Sequence, residues 1–354
     1  MKKKILMSGN EAMGEAAIAA GCRFYAGYPI TPQNELTAYM AQELPRRGGI
    51  FIQSESELAA INMVFGASAS GVRSMTSSSS PGISLKQEGI SYISGAQLPA
   101  VIINVMRAGP GLGNIWPAQS DYFQATKGGG HGDYRLIVLA PASVQESYDL
   151  TMLAFSLSDR YRIASMILSD GLLGQMMEPL ELCDPDRPVE KIDKPWALTG
   201  ASGRKPNIVQ SLYIRLGDVE KHNLALQKNY RRIASKEVRF EGKFLDDAKL
   251  VVVAYGSMSR IAGAVVEELR KQGKKIGLFR PVTLWPFPTE ELEELSKKVK
   301  KFLAIEMSYG QMVEDVRLAV GKGVKVDFYG RSGGGVPTEK QIEREILKAL
   351  NSKR

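Results

Sequence analysis

Two carboxylates, Glu55 and Glu57, stand two residues apart in Gln53-Ser54-Glu55-Ser56-Glu57, between a short apolar run and a helix-length stretch. Burial beside a strand end can raise one carboxylate's pKa and make it a useful proton donor or acceptor. The same string is also a formal capping box, Ser54-x-x-Glu57, and capping is the commoner role. Arg107 follows directly on Val101-Ile102-Ile103-Asn104-Val105-Met106. Its planar fork suits bidentate capture of a carboxylate or phosphate, while an ion pair with Asp121 is the structural alternative, and the two readings stand level. Thr31, in Tyr28-Pro29-Ile30-Thr31-Pro32, precedes a proline suited to the first turn of a helix, so its hydroxyl is expected to cap a helix starting at Pro32. A helix N-terminus also favours an anion.

Two polar loops, Thr76-Ser77-Ser78-Ser79-Ser80-Pro81-Gly82 and Lys127-Gly128-Gly129-Gly130-His131-Gly132-Asp133, let backbone approach a ligand or another subunit. His131 reads as a loop hydrogen-bonding residue rather than a catalyst, and Gly330-Arg331-Ser332-Gly333-Gly334-Gly335 as a surface turn, with no P-loop lysine after either. The glycines at 109, 111 and 113 superficially match a dinucleotide fingerprint. That motif should follow the first strand, where Ser8-Gly9-Asn10-Glu11 stands instead, which argues against a nicotinamide dehydrogenase.

These residues need a scaffold. The 354 residues, at roughly 150 per domain, suggest two domains, and 44% hydrophobic with 24% charged residues is an ordinary globular composition. With only Cys22 and Cys183, the chain has no set of four thiolates for an iron–sulfur cluster and no CxxC pair; with only His131 and His222, the composition argues against a histidine-rich metal site or a Ser-His-Asp hydrolase. The net charge of +8 suggests acidic ligands, but no groove-reading motif points to nucleic acid. No apolar run reaches the roughly 18 residues of a membrane span, and the N-terminal apolar run is too short for a signal peptide, so a cytoplasmic protein away from membranes is expected.

Short apolar runs alternate with amphipathic stretches, the pattern of an α/β fold with a doubly wound parallel sheet. Strands are expected over 3–7, 24–28, 50–53, 72–76, 99–106, 135–139 and 163–168, and helices over 10–20, 32–43, 55–69, 82–95 and 143–160. A first domain over 1–180 is followed by a connecting segment over 181–245, rich in proline and charge and poor in apolar periodicity. A second α/β domain over 246–354 opens with Leu250-Val251-Val252-Val253 and closes on a helix over 338–350.

Taken together, Gly27-Tyr28-Pro29-Ile30-Thr31-Pro32, Gln53-Ser54-Glu55-Ser56-Glu57, Asn104-Val105-Met106-Arg107 and Arg280-Pro281-Val282-Thr283-Leu284-Trp285-Pro286-Phe287-Pro288 resemble, in order and over nearly the whole chain, the alpha subunit of 2-oxoacid:ferredoxin oxidoreductases. The strings Ser77–Leu85 and Gly109–Ile115 look most like the branched-chain (3-methyl-2-oxobutanoate) enzymes, with the 2-oxoglutarate enzymes close behind. The resemblance implies a pyrimidine-binding domain followed by a transketolase C-terminal-like domain, with thiamine diphosphate shared with a beta subunit. Glu57 matches the cofactor-activating glutamate, which promotes the imino tautomer of the pyrimidine; Tyr28 and Pro29 match positions beside the cofactor; Thr31 and Arg107 match the positions that hold the 2-oxoacid. Glu55 then becomes a bland neighbour. The Gly-Asp-Gly motif that binds magnesium and diphosphate is absent, Ser169-Asp170-Gly171 being the nearest string. Mg2+ is therefore expected on the beta subunit, and iron–sulfur clusters on gamma and ferredoxin-like delta subunits; ferredoxin and coenzyme A complete the expected partners. The resemblance places no metal ligand on this chain. A non-catalytic scaffold subunit is the alternative, in which Glu57 would be merely a helix cap.

Overall fold

The computed structural model describes residues 4–184, 189–190 and 192–352. Lys3, where the first strand was expected to begin, and the Pro185–Pro188 run of the connecting segment lie outside the described residues. The first half runs β1 (Lys4–Ser8), α1 (Gly9–Ala19), β2 (Phe24–Gly27), α2 (Asn34–Arg46), β3 (Ile50–Gln53), α3 (Glu57–Ala69), β4 (Ser74–Ser78), α4 (Ser80–Gly95), β5 (Ala100–Met106), α5 (Tyr122–Thr126), β6 (Ile137–Leu139), α6 (Val144–Tyr161), β7 (Ala164–Asp170), α7 (Gly171–Gln175) and β8 (Met177–Glu181). There follow α8 (Asp218–Ala234), β9 (Phe240–Lys243), β10 (Leu250–Val253), α9 (Gly256–Lys271), β11 (Ile276–Pro281), β12 (Thr283–Trp285), α10 (Thr289–Lys298), β13 (Lys301–Glu306), α11 (Met312–Val320), β14 (Lys325–Gly330) and α12 (Glu339–Asn351).

A seven-stranded sheet has the order β12-β6-β7-β5-β4-β2-β3 and a five-stranded one the order β14-β13-β10-β11-β9. In the larger sheet β5 and β7 are buried along their whole length, as continuous apolar strands covered on both faces must be. The expected first strand is not part of it: β1 pairs antiparallel with β8 in a separate two-stranded ribbon. Lys4 and Leu6 face solvent while Met7 is buried, and such a half-exposed strand does not suit a sheet covered on both faces. The connecting segment holds a helix that its composition did not announce. In α8 the buried residues Leu226, Tyr230 and Ile233 form one narrow stripe at helical spacing, outweighed in composition by Lys228, Arg231 and Arg232.

The two sheets are joined by consecutive strands. β11 pairs in parallel with β10, and two residues later β12 pairs antiparallel with β6, with Thr283 opposite Leu139. At the crossing, Ala140 N–H donates to the Val282 carbonyl at 2.8 Å. Arg280, buried in β11, forks onto both oxygens of Glu146 at 2.8 and 2.7 Å and donates from Nε to Glu241 at 3.1 Å. Gln119 completes the seam. Its amide donates to the Tyr255 carbonyl and accepts from Met307 N–H, its own N–H reaches the Met307 carbonyl, and its carbonyl accepts from the Tyr255 hydroxyl.

Glu146→Gln removes the charge from one arm of this seam and leaves Arg280 underpaired. A loss of about 1.5–3 kcal/mol is expected, measured by denaturant unfolding.

Candidate functional site

Strand register decides which turns meet. Gly27 of β2 lies beside Gln53 of β3, Ser78 of β4 beside Asn104 of β5, and Met106 of β5 beside Asp170 of β7. The turns after β2, β3, β4 and β5 therefore open at one edge. The chain turns outward from β2 to β3 and then returns to β4 on the other side, so this edge is a switch point, where open α/β sheets place their ligands.

After β2 the chain makes a turn closed by Gln33 N–H on the Ile30 carbonyl, and α2 begins at Asn34. This corrects the expected helix start at Pro32. Thr31 is no N-cap; its hydroxyl accepts from Asn34 Nδ2 at 3.1 Å. The turn is anchored from beneath by a buried network, in which Ser77 Oγ lies 2.6 Å from both Gln33 Oε1 and the Tyr25 hydroxyl, and Thr37 donates to Gln33 Oε1. Tyr28 and Pro29 are exposed at its tip.

The capping box is also corrected. The N-cap of α3 is Ser56, whose hydroxyl accepts from Ala59 N–H, while Ser54 donates to the Gly27 carbonyl or the Ser56 carbonyl. Glu57 is thus the first helical residue and its side chain is free for another task. It is buried, at 6% exposure, whereas Glu55 is exposed. Glu57 packs against the start of α4: a Cβ built on Gly82 would lie 2.5 Å from Glu57 Oε1 and 2.0 Å from Ser78 Oγ. Only glycine permits that approach. Ser78 and Ser79 beside it have buried hydroxyls with no hydrogen-bond partner among the described residues, and Ser79, the N-cap of α4, makes no side-chain cap.

Arg107 does not pair with Asp121, which corrects its structural alternative. Asp121 receives Asn104 Nδ2 at 2.9 Å and lies 2.6 Å from Ser80 Oγ; burial raises its pKa against these two hydrogen bonds. The Arg107 guanidinium donates instead to the Thr31 and Leu112 carbonyls, each at 3.0 Å, while its buried Nε has no partner among the described residues. An arginine held by two neutral carbonyls keeps its full charge uncompensated, ready for an anion. Its N–H to the Thr31 carbonyl brings both sequence candidates together. The Gly330–Gly335 turn is not merely surface: Gly334 packs on Trp116 and the Gly333 carbonyl accepts from Asn114 Nδ2, bracing the loop that follows Arg107.

His131 lies apart on its exposed loop, 3.5 Å from Ser91 Oγ. Asp170 is fully committed as the N-cap of α7, accepting from Leu172 and Leu173 N–H, and it also takes the Ser257 hydroxyl from the second sheet's side at 2.6 Å. Burial raises its pKa despite these bonds. One charged residue near the site drew no notice in the sequence. Lys86, in α4, is wholly buried without a hydrogen-bond partner, and desolvation pushes its pKa down to about 8, opposed by the charge of Glu57. Its signal was spacing: a lysine one turn after Gly82 and one turn before Ile90, on the buried side of the helix.

Glu57, the unpartnered serine hydroxyls and the close approach at Gly82 gather at one edge of the sheet, where Arg107 and Thr31 also lie. The family model described as pyruvate flavodoxin/ferredoxin oxidoreductase, thiamine diphosphate-binding, matches residues 15–235. The chain therefore carries a domain of a thiamine-diphosphate-binding family. The core domain II of pyruvate:ferredoxin oxidoreductase matches 248–342. Ketoisovalerate oxidoreductase subunit VorB of Methanothermobacter thermautotrophicus is 51% identical over 98% of this chain and 96% of its own. The 2-oxoglutarate synthase subunit KorA of Methanocaldococcus jannaschii is 35% identical over 96% of this chain and 98% of its own. Among solved structures, a 2-oxoglutarate:ferredoxin oxidoreductase from Magnetococcus marinus, with 2-oxoglutarate, coenzyme A and succinyl-CoA bound, superposes at a TM-score of 0.89 and 27% identity, covering 99% of this chain and 66% of that longer one. The chain belongs to the 2-oxoacid:ferredoxin oxidoreductases, as a subunit of these multi-subunit enzymes of oxidative decarboxylation. Among the described residues no helix is long and apolar enough to cross a membrane.

The position of Lys86 has a sign that can be tested. Its folded-state pKa is depressed below the ordinary lysine value, so the cost of its buried charge is fully present below about pH 8 and is relieved as pH rises toward the unfolded value of about 10.5. Over that window the wild type should gain stability relative to Lys86→Met, as followed by parallel denaturant titrations.

Proposed function

We propose that this chain is the alpha subunit of a ketoisovalerate-type enzyme, which converts 3-methyl-2-oxobutanoate, coenzyme A and oxidised ferredoxin to the acyl-CoA, carbon dioxide and reduced ferredoxin. The observation that carries the reading is the meeting of Glu57, Thr31 and Arg107 at one switch-point edge, in a chain half identical to a ketoisovalerate oxidoreductase subunit. When bound, thiamine diphosphate supplies the carbon nucleophile and electron sink that a 2-oxoacid needs for decarboxylation.

Glu57 is the catalytic residue of this chain. Its carboxylate faces the cofactor's pyrimidine ring and holds or releases a proton there, in a pocket where burial strengthens the coupling. Tyr28 and Pro29 wall the pyrimidine side from the exposed tip of their turn. Arg107 takes the carboxylate of the oxoacid, its fork already oriented by the Thr31 and Leu112 carbonyls. Thr31 turns its hydroxyl toward the reacting carbonyl. Both groups fix the substrate against the site before chemistry begins.

The rest of the enzyme lies on other chains. A beta subunit holds the diphosphate and Mg2+, since the one candidate aspartate, Asp170, is spent on α7 and Ser257. Gamma and ferredoxin-like delta subunits carry the iron–sulfur clusters and pass electrons to ferredoxin. Leu112 at 81% and Trp116 at 62% exposure, both in the loop after Arg107, provide an apolar surface for such a partner to cover. Residues 1–180 form the pyrimidine-binding domain, 181–245 the connector and 246–354 a domain for assembly and closure, in a cytoplasmic enzyme.

Anaerobic purification of the tagged complex, assayed by viologen reduction, should rank 3-methyl-2-oxobutanoate above 2-oxoglutarate and pyruvate; no activity with any oxoacid would favour the scaffold role. Glu57→Gln should cost about 100-fold or more in kcat with the complex still assembled. Arg107→Met should raise KM for the oxoacid by about 10- to 100-fold, with coenzyme A saturation unchanged.

A further inference from the structure

Lys86 has 0% exposure, and its ammonium has no hydrogen-bond partner among the described residues. A buried charge without a counter-charge is costly, so something must oppose it. Its place on α4 identifies the partner. A Cβ on Gly82, one turn earlier, would lie 2.5 Å from Glu57 Oε1, and one on Gly89, one turn later, 2.4 Å from Ile61 Cγ2. These two glycines draw α4 against α3, and Lys86 stands between them on the same face. The close approach at Gly82 puts the Glu57 carboxylate against this same face of α4, where its charge opposes the desolvation of Lys86. The charged and titratable groups on the other neighbouring elements are engaged elsewhere. Asp121, ahead of α5, is held by Ser80 and Asn104; Tyr134 bonds Gln87 and Gly130; His131 rests on Ser91.

We propose that Lys86 is a positioning residue for the reaction, the buried counter-charge that keeps Glu57 ionised and turned toward the strand ends. A neutral Glu57 would donate a hydrogen bond to the pyrimidine ring; an ionised one accepts from a protonated ring nitrogen. Lys86 selects the second. This inference rests on the reading of Glu57 as the cofactor's partner.

The test uses the assembled complex carrying wild-type chain, Lys86→Met, Lys86→Gln, Lys86→Arg or Glu57→Gln. Thiamine diphosphate affinity is read from protein fluorescence between pH 5.5 and 9, beside kcat/KM at each pH. In Lys86→Met and Lys86→Gln the acid limb of both profiles should move upward by about one unit or more, and Lys86→Arg should return it toward wild type. Having both uncharged variants keeps the test open should one fail to assemble. Superimposable wild-type and uncharged-variant profiles would overturn the proposal. If Glu57→Gln abolishes the acid limb while the lysine variants leave it in place, Lys86 alone is wrong; if Glu57→Gln binds cofactor with an unaltered profile, the reading of Glu57 itself falls.

Discussion

The molecule depends on a strand that changes sheets. Between Pro281 and Thr283 the backbone leaves the five-stranded sheet and enters the seven-stranded one, so that the two halves are tied covalently and by hydrogen bonds at one point. A buried arginine at such a point is expensive unless both ends of its fork are met, and Glu146 with Glu241 meets them. The seam through Gln119, Tyr255 and Met307 then follows as a consequence of two sheet edges held in fixed register. The loop after Arg107 is braced from the second unit by Gly333 and Gly334, so the guanidinium's position is set by both halves of the chain.

The start of α3 leaves its first carboxylate unused by the cap. Ser56 supplies the cap of α3, so Glu57, the next residue, need not. At α4 the N-cap serine makes no cap bond, and unpaired hydroxyls gather with the close glycine contact. Polar groups left unmatched in a folded interior are tolerated where a ligand completes them. The ends of β2 to β5 concentrate these departures, while the sheet beneath is conventionally packed.

Much of this was legible beforehand. Alternating apolar runs announced the strands at 99–106 and 163–168 because fully buried strands need continuous apolar sequence. The residues Thr31, Glu57 and Arg107 were legible as candidates from their place after strands, and family resemblance sharpened their roles. What the sequence hid was relational. Nothing in Lys4–Ser8 says that its partner is β8, and three residues at 283–285 are too few to reveal that they belong to the other sheet. Helix α8 was masked because its three buried residues are outnumbered by charges on the remaining faces. The Ser54-x-x-Glu57 spacing fits two helix starts, and only the backbone shows that the cap is Ser56. Lys86 went unremarked because its burial depends on close packing at two glycines of the same helix.

The crossing at Val282 also governs how this protein can be recombined with its relatives. A hybrid joined in the open stretch near residue 245 would import β12 from one parent to close the sheet of the other, and Arg280 would meet a foreign acid on α6. Successful exchange must therefore move residues 137–146 and 276–285 as a matched set, although more than a hundred positions separate them in the chain. The two halves exchange only as one piece even though each has its own sheet.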